Sequence, residues 1–186
     1  MLSNPILLDY QSSTPCSKEV VDSMKPFWTE IFSNPSSKSN LAGINSSAIL
    51  EASREQIEQN LLLKNKKVVF TSGATESNNL ALVGFARNYY KKTGNYGHII
   101  TLKTEHKAVL EPLEELKKEG FLVTEIIPEK NGLISEENFI KSIRKDTFMV
   151  SIMLANNEIG VIQPIENISK ICKSREIILH SDFAQC

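Results

Sequence analysis

Small and polar side chains that could do chemistry stand directly after four short apolar runs of this 186-residue sequence. In open α/β sheets, ligands bind beyond the carboxyl ends of the strands. If the four runs are strands of one parallel sheet, the residues that follow them meet at one edge. These residues are, in chain order, Ala74, Thr75, His106, Asn157, Asp182 and Gln185. Their placement predicts one binding site rather than four unrelated surface features.

The first of these groups suits an anion. The stretch at 72–79 is rich in small residues and opens a predicted helix, whose first backbone N–H groups have no partner within the helix. Gly73, Ala74 and Thr75 can therefore bind a phosphate, with the Thr75 hydroxyl as a further donor. The alternative is that Ser72 or Thr75 caps the helix. The stretch lacks the glycine patterns of dinucleotide-binding and P-loop proteins, which argues against a dehydrogenase or an NTPase.

His106 and Asn157 offer groups for proton transfer and hydrogen bonding. The imidazole of a histidine titrates near neutral pH, and its flat ring can stack on a planar cofactor. The Asn157 amide can donate to a ligand oxygen. Each residue also has a structural alternative, a surface histidine at a helix start and an asparagine in a turn.

Asp182 lies between apolar strand residues and Phe183, so its carboxylate is expected to be shielded from water. A shielded carboxylate needs a cation or several donors, and here the partner is either a ligand or a distant lysine. A phosphate site, a ring-stacking group, an amide donor and a carboxylate that keeps a heteroaromatic nitrogen protonated suit pyridoxal 5′-phosphate (PLP). A metal site is less favoured, because the three histidines show no ligand-type pairing with the three cysteines.

The elements that must position these residues alternate along the chain. The apolar spacing predicts helices at 17–32, 49–63, 78–90, 107–118, 136–143 and 165–173 and strands at 68–71, 98–102, 121–127, 148–154 and 176–180. Strands that alternate with helices predict an α/β fold with a largely parallel sheet covered on both faces. We expect an N-terminal segment at 1–62, with helices and a substrate-side loop, followed by the sheet domain at 63–186.

Composition and charge exclude several kinds of partner. With 21 Lys and Arg against 22 Asp and Glu, the net charge of −1 gives no electrostatic signature of nucleic-acid or anionic-membrane binding. No apolar stretch approaches the roughly 20 residues that a membrane helix needs, and no secretory signal is visible. Cys16, Cys172 and Cys186 are odd in number and widely spaced, which favours reduced thiols. We therefore expect a cytoplasmic protein.

Several longer motifs carry a resemblance to a known family. They are Leu8-Asp9-Tyr10 with Thr14-Pro15, Asn34-Pro35-Ser36-Ser37, FTSGATESN at 70–78, TEHKAVL at 104–110, VSIM at 150–153 with NNEIG at 156–160, and HSD at 180–182 with Gln185. In this order they resemble the N-terminal half of the cysteine desulfurases of the NifS/IscS type. These enzymes belong to the class-V aminotransferase group of the fold-type-I PLP enzymes. The resemblance covers essentially the entire chain.

The resemblance implies a role toward PLP for each residue at the predicted edge. The phosphate contacts fall on Ala74 and Thr75, ring stacking and proton transfer on His106, contacts with the phenolic oxygen on Asn157 and Gln185, and pairing with the pyridine nitrogen on Asp182. The implied reaction removes sulfur from L-cysteine and gives L-alanine and an enzyme persulfide. That persulfide supplies iron–sulfur cluster assembly or tRNA thiolation. A homodimer and an iron–sulfur scaffold or sulfur-acceptor protein are the implied partners.

Departures from the family pattern concern both turnover and the substrate side of the site. The family's Schiff-base lysine and its persulfide cysteine are expected farther along than Cys186, so residues 63–186 correspond to part of a PLP-binding large domain without its small domain. Lys103 and Lys107 only flank His106 and do not match that lysine. Asn40 stands where the family usually has histidine, and Ser12-Ser13-Thr14 stands for Ala-Thr-Thr.

Three hypotheses remain open at this point. The first is a cysteine desulfurase represented by part of its chain and inactive alone. The second is a non-catalytic truncated paralogue that retains binding of the PLP phosphate or of a partner. The third is a selenocysteine lyase or another class-V aminotransferase. We also expect this chain alone to aggregate or to depend on a partner, because its last strand leaves an unpaired edge.

Overall fold

The computed structural model describes residues 6–63 and 66–186. The chain divides into two compact units, one that runs to Phe70 and one from Thr71 to Cys186. All six residues of the predicted edge belong to the second unit.

The described part of the first unit contains helices α1 (Lys18–Met24), α2 (Pro26–Thr29) and α3 (Leu41–Asn60). One helix was expected at 17–32, but Pro26 begins a separate helix because proline has no backbone N–H to continue the first. Helix α3 begins earlier than the predicted position 49. The Asn40 side chain accepts a hydrogen bond from the Gly43 backbone N–H over 2.7 Å and caps the helix.

The second unit is a regular alternation of helices and parallel strands. Its elements are α4 (Ala74–Thr93), β1 (His98–Leu102), α5 (Lys107–Glu119), β2 (Leu122–Ile126), α6 (Glu136–Ser142), β3 (Thr147–Ser151), α7 (Ile165–Ser174) and β4 (Ile178–His180). The four strands pair in parallel in the order β2-β1-β3-β4. The prediction of an α/β fold with a parallel sheet is confirmed.

Helices cover both faces of this sheet. On one face, Ile99 of β1 packs in a buried cluster with Leu82 of α4 and Leu113 of α5. On the other face, Ile100 packs with Phe139 of α6 and residues of α7. Neighbouring residues of a strand point to opposite faces, so apolar side chains at consecutive positions predict burial on both sides.

The pairing of β1 with β3 contains one irregularity. His98 pairs with Thr147 and Ile99 with Met149, so Phe148 is an extra residue in β3. As a result, Phe148 and Met149 both pack in the cluster on the α4 and α5 face, although they are consecutive. A bulge of this kind adds a residue to one strand without a counterpart on its neighbour.

The strand predicted at 68–71 is not observed, and that prediction is wrong for the described residues. Val69 and Phe70 are exposed, and the backbone of Val68 bonds to the side chains of Arg54 and Glu58 instead of to a strand. Apolar β-branched residues predict a strand only where a neighbour can take the backbone hydrogen bonds. None of the described strands pairs with this segment.

The described ranges contain neither a membrane-spanning helix nor a cluster of metal-ligating side chains. No helix there is long and apolar enough to cross a membrane. No three side chains of His, Cys, Asp or Glu within 6–63 and 66–186 are grouped so that they could hold a metal ion.

Candidate active site

The amino end of α4 has the features of an anion site. Gly73 precedes the helix, and a Cβ atom built there would meet no atom within 4 Å. No side chain caps the helix, so the cap alternative for Ser72 and Thr75 is not what the structure has. The carboxylate of Glu76 instead accepts from the N–H and hydroxyl of Ser72, at 2.7 and 2.6 Å. The exposed first-turn amides at Ala74 and Thr75 therefore keep no side-chain partner within the unit.

Asp182 is a buried carboxylate with neutral partners. Its side chain accepts hydrogen bonds from Asn78 Nδ2 and from the Ala184 N–H, each over 2.9 Å. Only 9% of Asp182 is exposed, and no basic side chain pairs with it among residues 6–63 and 66–186. No lysine among the described residues is therefore the distant partner that the sequence left open. Two hydrogen bonds from neutral donors hold the carboxyl group, and a cationic ligand group would supply the counter-charge that the described residues do not.

His106 is the N-cap residue of α5. Its Nδ1 accepts a hydrogen bond from the Ala108 N–H over 3.1 Å. An accepting Nδ1 carries no proton, so the neutral ring holds its proton on Nε2. The side chain is exposed. The hydrogen bond at Nδ1 thus fixes the imidazole ring, and Nε2 can bond to a ligand.

The loop after β3 carries the side-chain amides of Asn156 and Asn157, and of these two only that of Asn156 is hydrogen-bonded within the loop. Asn156 is buried, and its Oδ1 accepts from the N–H groups of Glu158 and Ile159, each over 2.9 Å. Asn157 is half-buried, and its side chain forms no hydrogen bond with the described residues. The turn role that the sequence left open for Asn157 is therefore performed by Asn156.

Hydrogen bonds join the loops at the carboxyl edge of the sheet. Asn78 bonds to Asp182 and connects α4 with the end of β4. The Leu154 N–H donates to the Asp182 backbone oxygen over 3.2 Å, which joins the ends of β3 and β4. Gln185 is exposed and lies in the turn closed by the Cys186 N–H and the Phe183 oxygen. The site is a connected set of loops.

Sequence reasoning missed two buried residues at this edge. Asn78 was assigned only to a helix, and its bond to Asp182 spans 104 positions. Glu105 is 5% exposed, and its Oε1 accepts from the Met153 N–H over 2.9 Å. Burial, together with the nearby negative charge of Asp182, raises the pKa of Glu105 to about 8. Charged residues in a polar loop normally predict exposure, so no sequence signal pointed to this burial.

The described residues fit the three polar parts of PLP. The uncapped helix end with open space at Gly73 suits the phosphate. The unbonded Asn157 amide suits the phenolic oxygen. The buried Asp182 carboxylate suits a protonated pyridine nitrogen.

A parallel sheet with helices on both faces, an uncapped helix start and a buried carboxylate at the carboxyl edge form the arrangement expected of an α/β enzyme of the PLP-dependent class. Residues 6–186 match the family Aminotransferase class-V, and the chain belongs to that family. PLP is the cofactor of this family.

Relatives and solved structures agree with this assignment. The chain is 47% identical over 184 residues to cysteine desulfurase IscS of Neisseria meningitidis serogroup C / serotype 2a. The aligned residues make up 99% of this chain and 45% of the relative. A solved NifS-like protein superposes with a TM-score of 0.89 at 36% identity, over 96% of this chain and 48% of that one. A structure of SspA in complex with cysteine gives 0.85 at 39% identity, over 93% and 49% of the two chains. The chain spans about half the length of the curated relatives it matches.

Proposed function

We propose that this chain is the cofactor-binding part of a cysteine desulfurase, which removes sulfur from L-cysteine and leaves L-alanine. The observation that carries the proposal is the buried Asp182 carboxylate, which has two neutral donors and no basic partner among the described residues. PLP supplies an electron sink when its ring nitrogen is protonated. The identity of 47% with an IscS desulfurase and the structural likeness to SspA in complex with cysteine support L-cysteine as the substrate.

Asp182 holds the proton on the ring nitrogen in this proposal. The bonds from Asn78 Nδ2 and the Ala184 N–H fix the orientation of the carboxylate. An ionised carboxylate in a shielded site attracts a cationic ring nitrogen more strongly than it would in water.

The backbone N–H groups of Ala74 and Thr75 bind the phosphate, and the Thr75 hydroxyl adds a donor. Helix α4 has 20 residues, and the positive end of its dipole lies at Ala74. The phosphate and the ring nitrogen are thus bound by groups that the Asn78–Asp182 hydrogen bond holds together.

His106, Asn157 and Gln185 would contact the ring of the cofactor. The Ala108 N–H holds His106 Nδ1, so Nε2 is the atom that gives or takes a proton. The Asn157 amide and the Gln185 side chain contact the phenolic oxygen.

The proposal extends to partners and location. We propose a homodimer that passes sulfur to an iron–sulfur scaffold or another acceptor protein in the cytoplasm. Turnover is expected from a protein that also carries the lysine and cysteine of the family pattern.

Titration with PLP, followed by absorbance, tests the cofactor site. We compare the wild-type chain with Asp182→Asn, which keeps the shape but removes the charge, and with Asp146→Asn as a control in an exposed ion pair. We expect saturable binding by the wild type, about tenfold weaker binding by Asp182→Asn, and no change for the control. Absence of saturable binding by the wild type contradicts the proposal.

L-alanine release tests the substrate. The protein that carries this chain together with the family's lysine and cysteine is incubated with PLP and L-cysteine, with L-serine as the control. Release from L-cysteine alone supports the proposal. Equal release from both, or from neither, overturns it.

A further inference from the structure

Two hydrogen bonds cross between the loop after β1 and the loop after β3. Oε1 of Glu105 accepts from the Met153 N–H over 2.9 Å. In the opposite direction, Asn156 Nδ2 donates to the Thr104 carbonyl oxygen over 2.8 Å. Glu105 immediately precedes His106 in sequence, and Asn156 immediately precedes Asn157. The two bonds therefore fix the backbone beside each of these two candidate site residues.

Glu105 is an unusual acceptor for a backbone N–H. It is 5% exposed, and its Oε2 is buried without a hydrogen-bond partner among the described residues. No basic side chain pairs with it in residues 6–63 and 66–186. An ionised carboxylate in such surroundings is costly, whereas an uncharged acid can accept at Oε1 and carry its proton on Oε2. The raised pKa of Glu105, to about 8, agrees with the uncharged form.

We propose that Glu105 is a positioning residue that, as an uncharged acid, holds the loop bearing His106 against the loop bearing Asn157. The inference rests on the proposed function in one respect, that His106 and Asn157 contact PLP. The hydrogen bond itself exists without the cofactor, so it can be measured separately.

A second buried side chain provides a matched control. Gln163 is 3% exposed, accepts from the Ile134 N–H over 2.9 Å and donates to the Gly132 carbonyl oxygen over 2.8 Å. It therefore makes the same kind of loop-to-loop contact within the same unit. Gln163 lies in the loop after β3, as Asn157 does, but its side chain bonds to residues 132 and 134 and not to the loop bearing His106. Gln163→Ala therefore reports the loss of a buried polar contact of this loop that does not join it to the loop bearing His106.

The experiment compares Glu105→Gln, Glu105→Ala and Gln163→Ala with the wild-type chain. The first readout is hydrogen exchange at the Met153 amide with the NMR signals of the His106 ring, both without PLP. We expect Glu105→Gln to keep Met153 protection and the His106 signals, because an uncharged amide oxygen replaces the acid oxygen. We expect Glu105→Ala to lose that protection and to shift the His106 signals, and Gln163→Ala to change neither.

The second readout is the dissociation constant for PLP. We expect Glu105→Ala to bind about tenfold more weakly, which corresponds to about 1.4 kcal/mol, while Glu105→Gln and Gln163→Ala stay within about twofold. If Glu105→Gln loses Met153 protection as fully as Glu105→Ala, the uncharged-acid role is overturned. Equal PLP affinity of Glu105→Ala and wild type overturns the positioning role.

Failure of the proposed function has a different signature. If the wild-type chain does not bind PLP, the cofactor assignment fails, and the positioning claim is decided by the Met153 and His106 signals alone. Unchanged signals in Glu105→Ala overturn it there. If Glu105→Ala does not fold, the Glu105→Gln chain and the Gln163→Ala control still decide whether an uncharged acceptor restores the wild-type signals.

Discussion

Asn78 donates a hydrogen bond from Nδ2 to Oδ2 of Asp182 over 2.9 Å, across 104 positions of the chain. Both side chains are buried, at 4% and 9% exposure. Asn78 lies in the second turn of α4, and Asp182 lies just past β4. The proposed phosphate site and the proposed ring-nitrogen site are thereby held together by the protein itself, before any ligand binds.

Replacement of Asn78 by alanine tests this connection. The change leaves a buried carboxylate with one donor fewer, so we expect a loss of about 1–3 kcal/mol in the free energy of unfolding, measured with urea. Asn79→Ala is the control, because Asn79 is exposed and its side chain donates to the Thr75 carbonyl oxygen of its own helix. Equal stability of the two variants would contradict the view that the Asp182 contact matters.

Replacement of Thr75 by valine tests the phosphate site. Valine keeps the shape of threonine but removes the hydroxyl, so we expect PLP and inorganic phosphate to bind about five- to tenfold more weakly. Thr93→Val is the matched control at the other end of α4, where the hydroxyl bonds to the Tyr89 carbonyl oxygen. Competition between phosphate and PLP, followed by fluorescence, measures both constants. If Thr93→Val weakened phosphate or PLP binding more than Thr75→Val, the assignment of the anion site to the start of α4 would be wrong.

His98 predicts a loss of stability in acid. Its ring nitrogens lie 2.8 Å from the hydroxyls of Thr147 and Thr124, and burial, with the positive charge of Arg144, lowers the pKa of the imidazole. Below the ordinary histidine pKa of about 6.5, the unfolded chain therefore binds a proton that the folded chain does not, and stability falls as the pH falls. We expect urea unfolding to show this decline below about pH 6.5.

His98→Gln is the variant that isolates the effect. It should be less stable at neutral pH but should lose part of the decline in acid. The remainder is expected from His180, whose pKa burial also lowers. An unchanged dependence on pH in His98→Gln would show that His98 already takes up its proton in the folded chain.

Gly97 predicts a steric requirement at the amino end of β1. Its φ is +69°, and a Cβ atom there would lie 2.7 Å from Phe148 Cδ1 and 2.9 Å from Tyr89 Cε1. We expect Gly97→Ala to cost more than 2 kcal/mol, roughly the sum of backbone strain and overpacking, by thermal or urea unfolding. Gly94→Ala is the control, because Gly94 has a φ of +72° with open space around its Cβ position. The difference between the two variants measures the clash, and a difference near zero would mean that the two rings move aside freely.

Much of the fold was predictable because local spacing and burial agree in the second unit. The apolar run at 98–102 is buried throughout as β1, and helices α5 and α7 begin at their predicted residues. Prediction was poorer in the first unit. Gly43, Asn45 and Ser46 interrupt the apolar periodicity at the start of α3, and the apolar segment at 68–71 lacks a neighbouring strand among those described. A strand is defined by its partner, which spacing along one segment does not contain.

In the candidate site, too, the sequence positions were predictable from local spacing and the long-range contacts were not. The positions of His106, Asn157 and Asp182 after their strands follow from the alternation of elements alone. The contacts of Asp182 with Asn78 and of Glu105 with Met153 do not, because they join residues 104 and 48 positions apart. The burial of a carboxyl depends on what folds over it, so the pKa of Glu105 could be assessed only in three dimensions.

The extra residue in β3, Phe148, lies at the amino end of the strand, before the regularly paired part that leads to the loop bearing Asn157. Pairing beyond Phe148 resumes with Met149 opposite Ile99 and continues to Ser151, from which the loop bearing Asn157 leaves the sheet. Phe148 itself stacks on Tyr89, with ring centroids 4.0 Å apart, at the amino end. Loss of this residue during evolution would leave a regular strand in which every later side chain still faces the same side. The aromatic packing at the amino end of β3 can thus diverge between homologues, while the carboxyl end keeps its pairing with β1 and its side chains keep their faces of the sheet.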